Sequence, residues 1–171
     1  RFNRDRLASI QNAGGYRFHS LLDYREIVKP RAYPFHRLVE KACRQLRDFP
    51  GRIDGIISHW DFPGQTMLPL LCNRFDLPGP SLESVLKCGH KYWARVEQQK
   101  VLPEHIPRFC AVDPFAEDPL SQVSLDFPFW LKPIKSFGSY LGFRIDDEKT
   151  FFEAIRILRK HIRRIGDGYN Q

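Results

Sequence analysis

The sequence has little cysteine and no long apolar run, and each shortage excludes a class of protein. Its four cysteines are far apart and form no C-x-x-C pair, which argues against a zinc knuckle and against a dense disulfide framework. No apolar stretch approaches the roughly 20 residues of a membrane-spanning helix, so we expect no membrane protein. Scattered thiols among apolar neighbours are typical of buried, reduced cysteine and favour a cytoplasmic location.

The sequence does have enough apolar surface for a core, and it carries an excess of positive charge. Hydrophobic residues make up 42% of the 171 positions, with 14 Phe, which is typical of one ordinary domain or of two small lobes. Lys and Arg number 27 against 20 Asp and Glu, a net charge of +7. This charge favours an anionic partner, such as a nucleotide, an acidic metabolite, a nucleic acid or an anionic lipid, without choosing among them.

Strand and helix patterns alternate in the first half of the chain. Residues 16–22 and 53–58 have the composition of strands, and apolar positions recur at helical spacing over residues 35–48 between them. This order predicts a parallel sheet, in which ligands bind at the carboxyl ends of the strands. The loop after the second strand carries His59 and Asp61. We expect both to border a substrate cleft; the alternative is a loop histidine beside a turn-capping aspartate.

The second half contains an apolar strand that ends in a lysine. Residues 127–133 read FPFWLKP, and the chain returns as a second strand after a Ser/Gly turn over residues 136–142. A lysine at a strand end is a cation on a rigid base, and a Ser/Gly loop beside it can present backbone N–H groups to phosphate oxygens. By itself this pattern fits a phosphate site and a plain surface hairpin equally well.

Three further segments precede this hairpin in a characteristic order. They are LPGPS at 77–81, CGHK at 88–91 and IPRF at 106–109. With the hairpin, this set resembles the "lGlpgPs…dK", "gIPvP" and "fPvvvKP…gS.Gv" elements of the ATP-grasp superfamily, in the branch that looks like biotin carboxylase and related carboxylate ligases. The resemblance covers about residues 54–165.

The resemblance implies a fold and a chemistry. The fold is α/β, with a parallel-sheet, Rossmann-like pre-ATP-grasp lobe over residues 1–88 and a small α+β ATP-grasp subdomain over residues 89–171. The chemistry is ATP-driven activation of a carboxylate to an acyl phosphate, which an amine or a related nucleophile then attacks. The implied partners are ATP, magnesium and a small carboxylate. Relatives continue with the adenine hinge, the magnesium ligands and the catalytic arginine, so we expect a fragment of such a ligase that is inactive alone.

The resemblance also implies nucleotide-binding residues at matching positions. Lys91 matches the first family lysine, which reaches the nucleotide phosphates. Lys132 matches the strand lysine, which contacts the α- and β-phosphates. Gly138 and Ser139 match the loop that closes over the phosphates, and Lys135 is an additional cation that the family pattern does not require. We expect Lys91 and Lys132 to converge under this loop, and we assign no catalytic residue and no metal ligand.

Two alternatives stay open. The segment 146–165 predicts a helix whose outward positions are rich in Arg and Lys. A basic module that binds nucleic acid or an acidic protein would use this surface, although a solvated helix face is the favoured interpretation. The loop 136–142 has fewer glycines than relatives have, which favours a degenerate, non-catalytic ATP-grasp scaffold. The sequence also leaves a homo-oligomer open.

Overall fold

Short helices and one small hairpin make up the structure. The computed structural model describes residues 2–28, 34–136, 138–163 and 166–167. Within these ranges the chain is a mixed protein, about half helical, with a single two-stranded antiparallel sheet. The elements are α1 Phe2–Ala8, α2 Tyr24–Val28, α3 Phe35–Arg47, α4 Gly64–Arg74, α5 Leu82–Gly89, α6 Lys91–Val101, β1 Phe129–Leu131, β2 Phe143–Ile145 and α7 Glu148–His161, with 3-10 turns at Ala13–Gly15, Pro103–His105 and Leu120–Gln122. No helix in the described ranges is both long enough and apolar enough to cross a membrane.

The first core forms between α3 and α4. The apolar spacing that predicts a helix over residues 35–48 is confirmed, because its buried positions are on one face of α3. Leu38, Ala42 and Cys43 from this face pack against Met67 and Leu71 of α4. The burial of Cys43 therefore comes from helix periodicity rather than from thiol chemistry.

The parallel sheet predicted for the first half does not form in the described part of the chain. Residues 16–22 and 53–58 have no strand structure, and the described sheet contains only β1 and β2. A strand is stable only where a neighbour accepts and donates its backbone hydrogen bonds, and no described segment pairs with either one. Ile56 packs against the first core, whereas Ile57 is 68% exposed.

The second core forms between the hairpin and α7. β1 and β2 pair antiparallel, with Phe129 opposite Ile145 and Leu131 opposite Phe143. These side chains face α7, from which Phe151 and three further apolar residues complete the core. The hairpin predicted within residues 127–145 is therefore present. The predicted end of the last helix, residues 164–165, lies outside the described residues, as do residues 1, 29–33, 137 and 168–171.

A capping box connects β2 to α7. The Asp147 carboxylate accepts the Thr150 backbone N–H at 2.8 Å, and Thr150 Oγ1 accepts the N–H groups of Asp146 and Asp147 at 3.1 Å each. These bonds satisfy backbone donors that the first turn of a helix leaves unpaired, and they lower the pKa of Asp147. The box sets where α7 begins relative to the hairpin.

The second core predicts that two adjacent phenylalanines contribute very differently to the free energy of unfolding. Phe151 is fully buried, whereas Phe152 is 47% exposed on the same helix. We expect Phe151→Ala to lower the free energy of unfolding by about 3–5 kcal/mol, because the cavity adds to the lost burial. Phe152→Ala is the matched control, with an expected loss below about 1 kcal/mol. Urea unfolding of the three proteins measures both changes, and equal losses would contradict this core.

Candidate functional site

The junction of α5 and α6 places the first lysine of the candidate site. His90 lies between the two helices and caps the second, because its Nδ1 accepts the backbone N–H of Trp93 at 3.1 Å. Lys91 is therefore the first residue of α6. A lysine at this end of a helix faces the positive end of the helix dipole, so its charge needs a partner.

The ammonium group of Lys91 finds its partners on the segment that follows β1. Lys91 Nζ donates to the Ser136 backbone O at 2.8 Å, to Ser136 Oγ at 3.2 Å and to the Ile134 backbone O at 3.4 Å. The backbone N–H of Lys91 also donates to Ile134 O at 3.2 Å. These contacts tie the start of α6 to the chain immediately after Lys132.

Lys132 lies along the outer face of the hairpin. Its Nζ is 5.2 Å from the centroid of the Trp130 ring. Its stem passes close to Gly142, where a Cβ would lie at ordinary contact distance, 3.7 Å, from Lys132 Cγ. The loop between the strands turns tightly, with positive φ values at Gly138, Ser139 and Leu141. The Gly142 N–H donates to Ser139 O at 3.1 Å.

Charged side chains from separate parts of the chain shift one another's pKa values around Lys91. Burial lowers the pKa of Lys91, the Asp61 carboxylate opposes that shift, and the Lys132 charge adds to it. Burial also lowers the pKa of Lys135, again opposed by Asp61. The pKa of His90 is lowered by burial, then by the charges of Lys135 and Lys91. The structure therefore brings three lysines, a histidine and one carboxylate within electrostatic range.

Asp61 reaches this cluster from the loop before α4. Its Oδ1 accepts the Phe62 N–H at 2.9 Å, and its backbone O accepts the Gln65 N–H at 3.1 Å. Both contacts hold the carboxylate at the start of the helix. His59 is exposed two residues earlier on the same loop. Of the two residues expected to border a substrate cleft, only Asp61 acts electrostatically on Lys91 and Lys135, and neither Asp61 nor His59 lines the cleft described below; their role on the substrate side stays a prediction.

A cleft of about 370 Å³ opens beside the lysines. Its polar side is formed by His90, Lys132 and Lys135. Its apolar side is formed by Leu131 of β1, by Ile155 and Leu158 of α7, and by Val112 and Ile162. A cleft with cations on one side and apolar walls on the other suits an anion that carries an uncharged body.

The sequence did not single out Trp130 or His90 as parts of this site, whereas Ser136 was already included in the predicted loop over residues 136–142. Strand alternation was the available signal for Trp130, because residues two apart in a strand share a face, and Lys132 is two positions later. The contact of Ser136 with Lys91 had no local signal. Gly138 and Ser139 lie in the loop as expected, next to residue 137, which is outside the description.

The donor set does not form a metal centre in the described ranges, where no group of three or more His, Cys, Asp or Glu side chains could hold an ion. Comparison with protein-family models, curated proteins and solved structures gives no match to this chain. The ATP-grasp resemblance therefore stays a prediction that depends on the sequence segments.

The charge coupling at this site predicts how one carboxylate affects two lysines. Because Asp61 raises the pKa of Lys91 and Lys135, we expect Asp61→Asn to move both values further below the ordinary 10.5. Each ammonium then loses its proton at lower pH, so anion binding by these lysines declines earlier on the alkaline side. NMR titration of ¹³C-labelled lysine side chains measures the shifts.

Two internal references make this titration specific. The pKa of Lys87 is raised, mainly because its ammonium group donates a hydrogen bond to the Glu83 carboxylate, and it should not respond to Asp61→Asn. Asp54→Asn is the matched variant, since Asp54 pairs with Arg52 at 2.6 Å in the same part of the chain. Unchanged pKa values for Lys91 and Lys135 in Asp61→Asn would show that Asp61 is not part of the site.

Proposed function

We propose that this chain is part of an ATP-dependent carboxylate–amine ligase of the ATP-grasp type. In this proposal Lys91, Lys132 and Lys135 bind the nucleotide phosphates, with the loop that contains Gly138 and Ser139 beside them. The supporting observation is the convergence of three ammonium groups from two distant segments, two of which, those of Lys91 and Lys135, are within range of the Asp61 carboxylate. Like charges repel, and burial disfavours the charged forms of Lys91 and Lys135, so a polyanion would stabilise this arrangement.

The proposed chemistry proceeds in two steps. The terminal phosphoryl group of ATP moves to an oxygen of the carboxylate substrate, which leaves ADP and an acyl phosphate. An amine nitrogen then attacks the acyl carbon, a C–N bond forms, inorganic phosphate leaves and the amine loses a proton. The lysines of this chain would hold the phosphates and offset their charge. Asp61 and His59 would lie on the substrate side, opposite the phosphates.

Magnesium belongs to the parent enzyme in this proposal. The described residues offer no group of three ligands for it, so we assign no magnesium-dependent step to this chain. The finer organisation is part of the same proposal: a first lobe over residues 1–88, an ATP-grasp subdomain over residues 89–171 and a cytoplasmic location. Two separate cores, one around Leu38 and the other around Phe151, support the division.

The contacts of α7 give little support to the alternative function, a basic module that binds nucleic acid or an acidic protein. Arg159 uses its guanidinium to hold the loop before the hairpin, since it donates to the backbone oxygens of Pro114 and Ala116. Arg156 and Lys160 are exposed on the same helix, and Arg163 is exposed just after it, which is usual for a solvated helix face. Binding that depends on this face would decline steeply with salt.

Replacement of the strand lysine tests the proposal. Each charge-assisted hydrogen bond is worth roughly 1.5–3 kcal/mol, so we expect Lys132→Ala to weaken ATP binding on the order of ten- to a hundredfold. Calorimetric titration of the purified chain at fixed salt and magnesium measures the affinity. Lys100→Ala is the matched control, because Lys100 is exposed near the other end of α6, about 13 Å along the helix from Lys91.

Three results would overturn the proposal. Equal ATP affinity in the wild-type chain and in Lys132→Ala would make Lys132 an ordinary strand-end lysine. An equal loss in Lys100→Ala would mean that the binding depends on overall charge. Absence of ATP binding, together with salt-sensitive binding of RNA, would favour the basic module.

A further inference from the structure

His90 connects two helices through three separate hydrogen bonds. Its backbone N–H donates to Leu86 O at 3.1 Å and ends α5, while its backbone O accepts the Ala94 N–H at 2.8 Å and starts α6. Its Nδ1 accepts the Trp93 N–H at 3.1 Å. One residue therefore sets the direction in which α6 leaves α5.

The side-chain bond of His90 lies at the same helix end as the contacts of Lys91. The first turn of a helix leaves its N–H groups without partners inside the helix. Here Ile134 O accepts the N–H of Lys91 at 3.2 Å, and His90 Nδ1 accepts that of Trp93. The rings of His90 and Trp93 also meet edge to face, with centroids 6.3 Å apart. Together these contacts hold the first turn of α6, which carries Lys91, against the segment after β1.

The bond from Trp93 requires the neutral form of the imidazole. A ring nitrogen accepts a hydrogen bond only when it carries no proton, so Nε2 carries the single proton of neutral His90. In the imidazolium form Nδ1 is a donor that faces the Trp93 N–H, and the bond is lost. The caps of two other helices do not change in this way. Ser81 caps α5 with a hydroxyl group, and Asp147 caps α7 with a carboxylate that stays ionised between pH 5 and 8.

The surroundings of His90 oppose its protonation. Burial lowers its pKa below the ordinary 6.5, and the charges of Lys135 and Lys91 lower it further. Further charged side chains around this junction are Lys132, which lines the same cleft, Asp61, which acts on Lys91 and Lys135, and Lys87, which pairs with Glu83 and Glu97. His90 is therefore mostly neutral at pH 7 and becomes charged in acid solution.

We propose that His90 is a positioning residue for Lys91 and that its protonation releases the start of α6 from the segment after β1. The proposed function assigns phosphate binding to Lys91, and this inference adds the pH range in which Lys91 is held in place for it. The positioning itself depends on hydrogen bonds within this chain, so its test needs no nucleotide. Because the pKa of His90 is lowered by folding, the bond is intact above pH 6.5 and is lost as the pH falls through the pKa of the folded state.

NMR spectroscopy of the ¹⁵N-labelled chain tests each step. At pH 7.5 we expect neutral His90 with its proton on Nε2. Between pH 7.5 and pH 5 we expect the Trp93 and Lys91 amide protons to titrate with His90. Their protection from hydrogen exchange should fall on the order of fivefold, as for the loss of a helix cap. The amide protons of Ser84 and Thr150, which are bonded to the caps of α5 and α7, are internal references and should not titrate with His90.

Three variants separate the cap from other effects of pH. His90→Asn offers a neutral acceptor that does not titrate, so the protection of Trp93 and Lys91 should be kept at pH 5. His90→Ala offers no acceptor, and both amide protons should be weakly protected at every pH. His105→Asn is the matched control, because His105 is exposed in the 3-10 turn that follows α6. Its replacement should leave the wild-type titration unchanged.

Several outcomes would overturn this inference. A proton on Nδ1 at pH 7.5, or a Trp93 amide proton that does not titrate, would show that His90 does not cap α6. The same loss of protection in His90→Asn would assign the response to another group. A response of Trp93 without one of Lys91 would leave His90 as a helix cap with no positioning role. The proposed function fails separately, since equal ATP affinity of the wild-type chain and Lys132→Ala would leave the His90 bond in place.

Discussion

The contact between Lys91 and the backbone of residues 134–136 is the constraint on which the candidate site depends. Lys91 and Ile134 are 43 residues apart in the sequence, and the intervening chain contains long stretches without regular structure. Three donors of one ammonium group meet two carbonyls and a hydroxyl there. Since α6 is a rigid helix capped by His90, this contact sets the distance between the first lysine and the strand lysine.

The electrostatics of the site follow from this contact. Once α6 is tied to the hairpin, the charges of Lys91, Lys132 and Lys135 lie near one another, and burial disfavours the charged forms of Lys91 and Lys135. Asp61 offsets part of this effect from the loop before α4. The hydrogen bonds of Lys91 offset another part. What is left is an excess of positive charge beside an apolar cleft, which is the chemical complement of a nucleotide or another organic polyanion.

Local patterns predicted the local structure well. The apolar spacing over residues 35–48 predicted α3, and Ser81 caps α5 as its position before an apolar helix suggests, with Ser81 Oγ accepting the Ser84 N–H at 3.1 Å. The strands predicted at 16–22 and 53–58 were wrong for this structure. A composition rich in β-favouring residues indicates that a segment can form a strand. A strand also needs a neighbouring strand to pair with, and the local sequence pattern does not show whether the fold provides one.

The sequence by itself determined the helices, the hairpin and the positions of the lysines along them. Helix hydrogen bonds join residues four apart, and a hairpin joins neighbouring segments, so both are encoded within short windows. Only the tertiary structure decided that Lys91 turns toward Ser136, that Asp61 faces the lysines and that Trp130 stays exposed beside Lys132. These features depend on contacts between distant segments, whose geometry is set by how the cores pack and not by any local pattern.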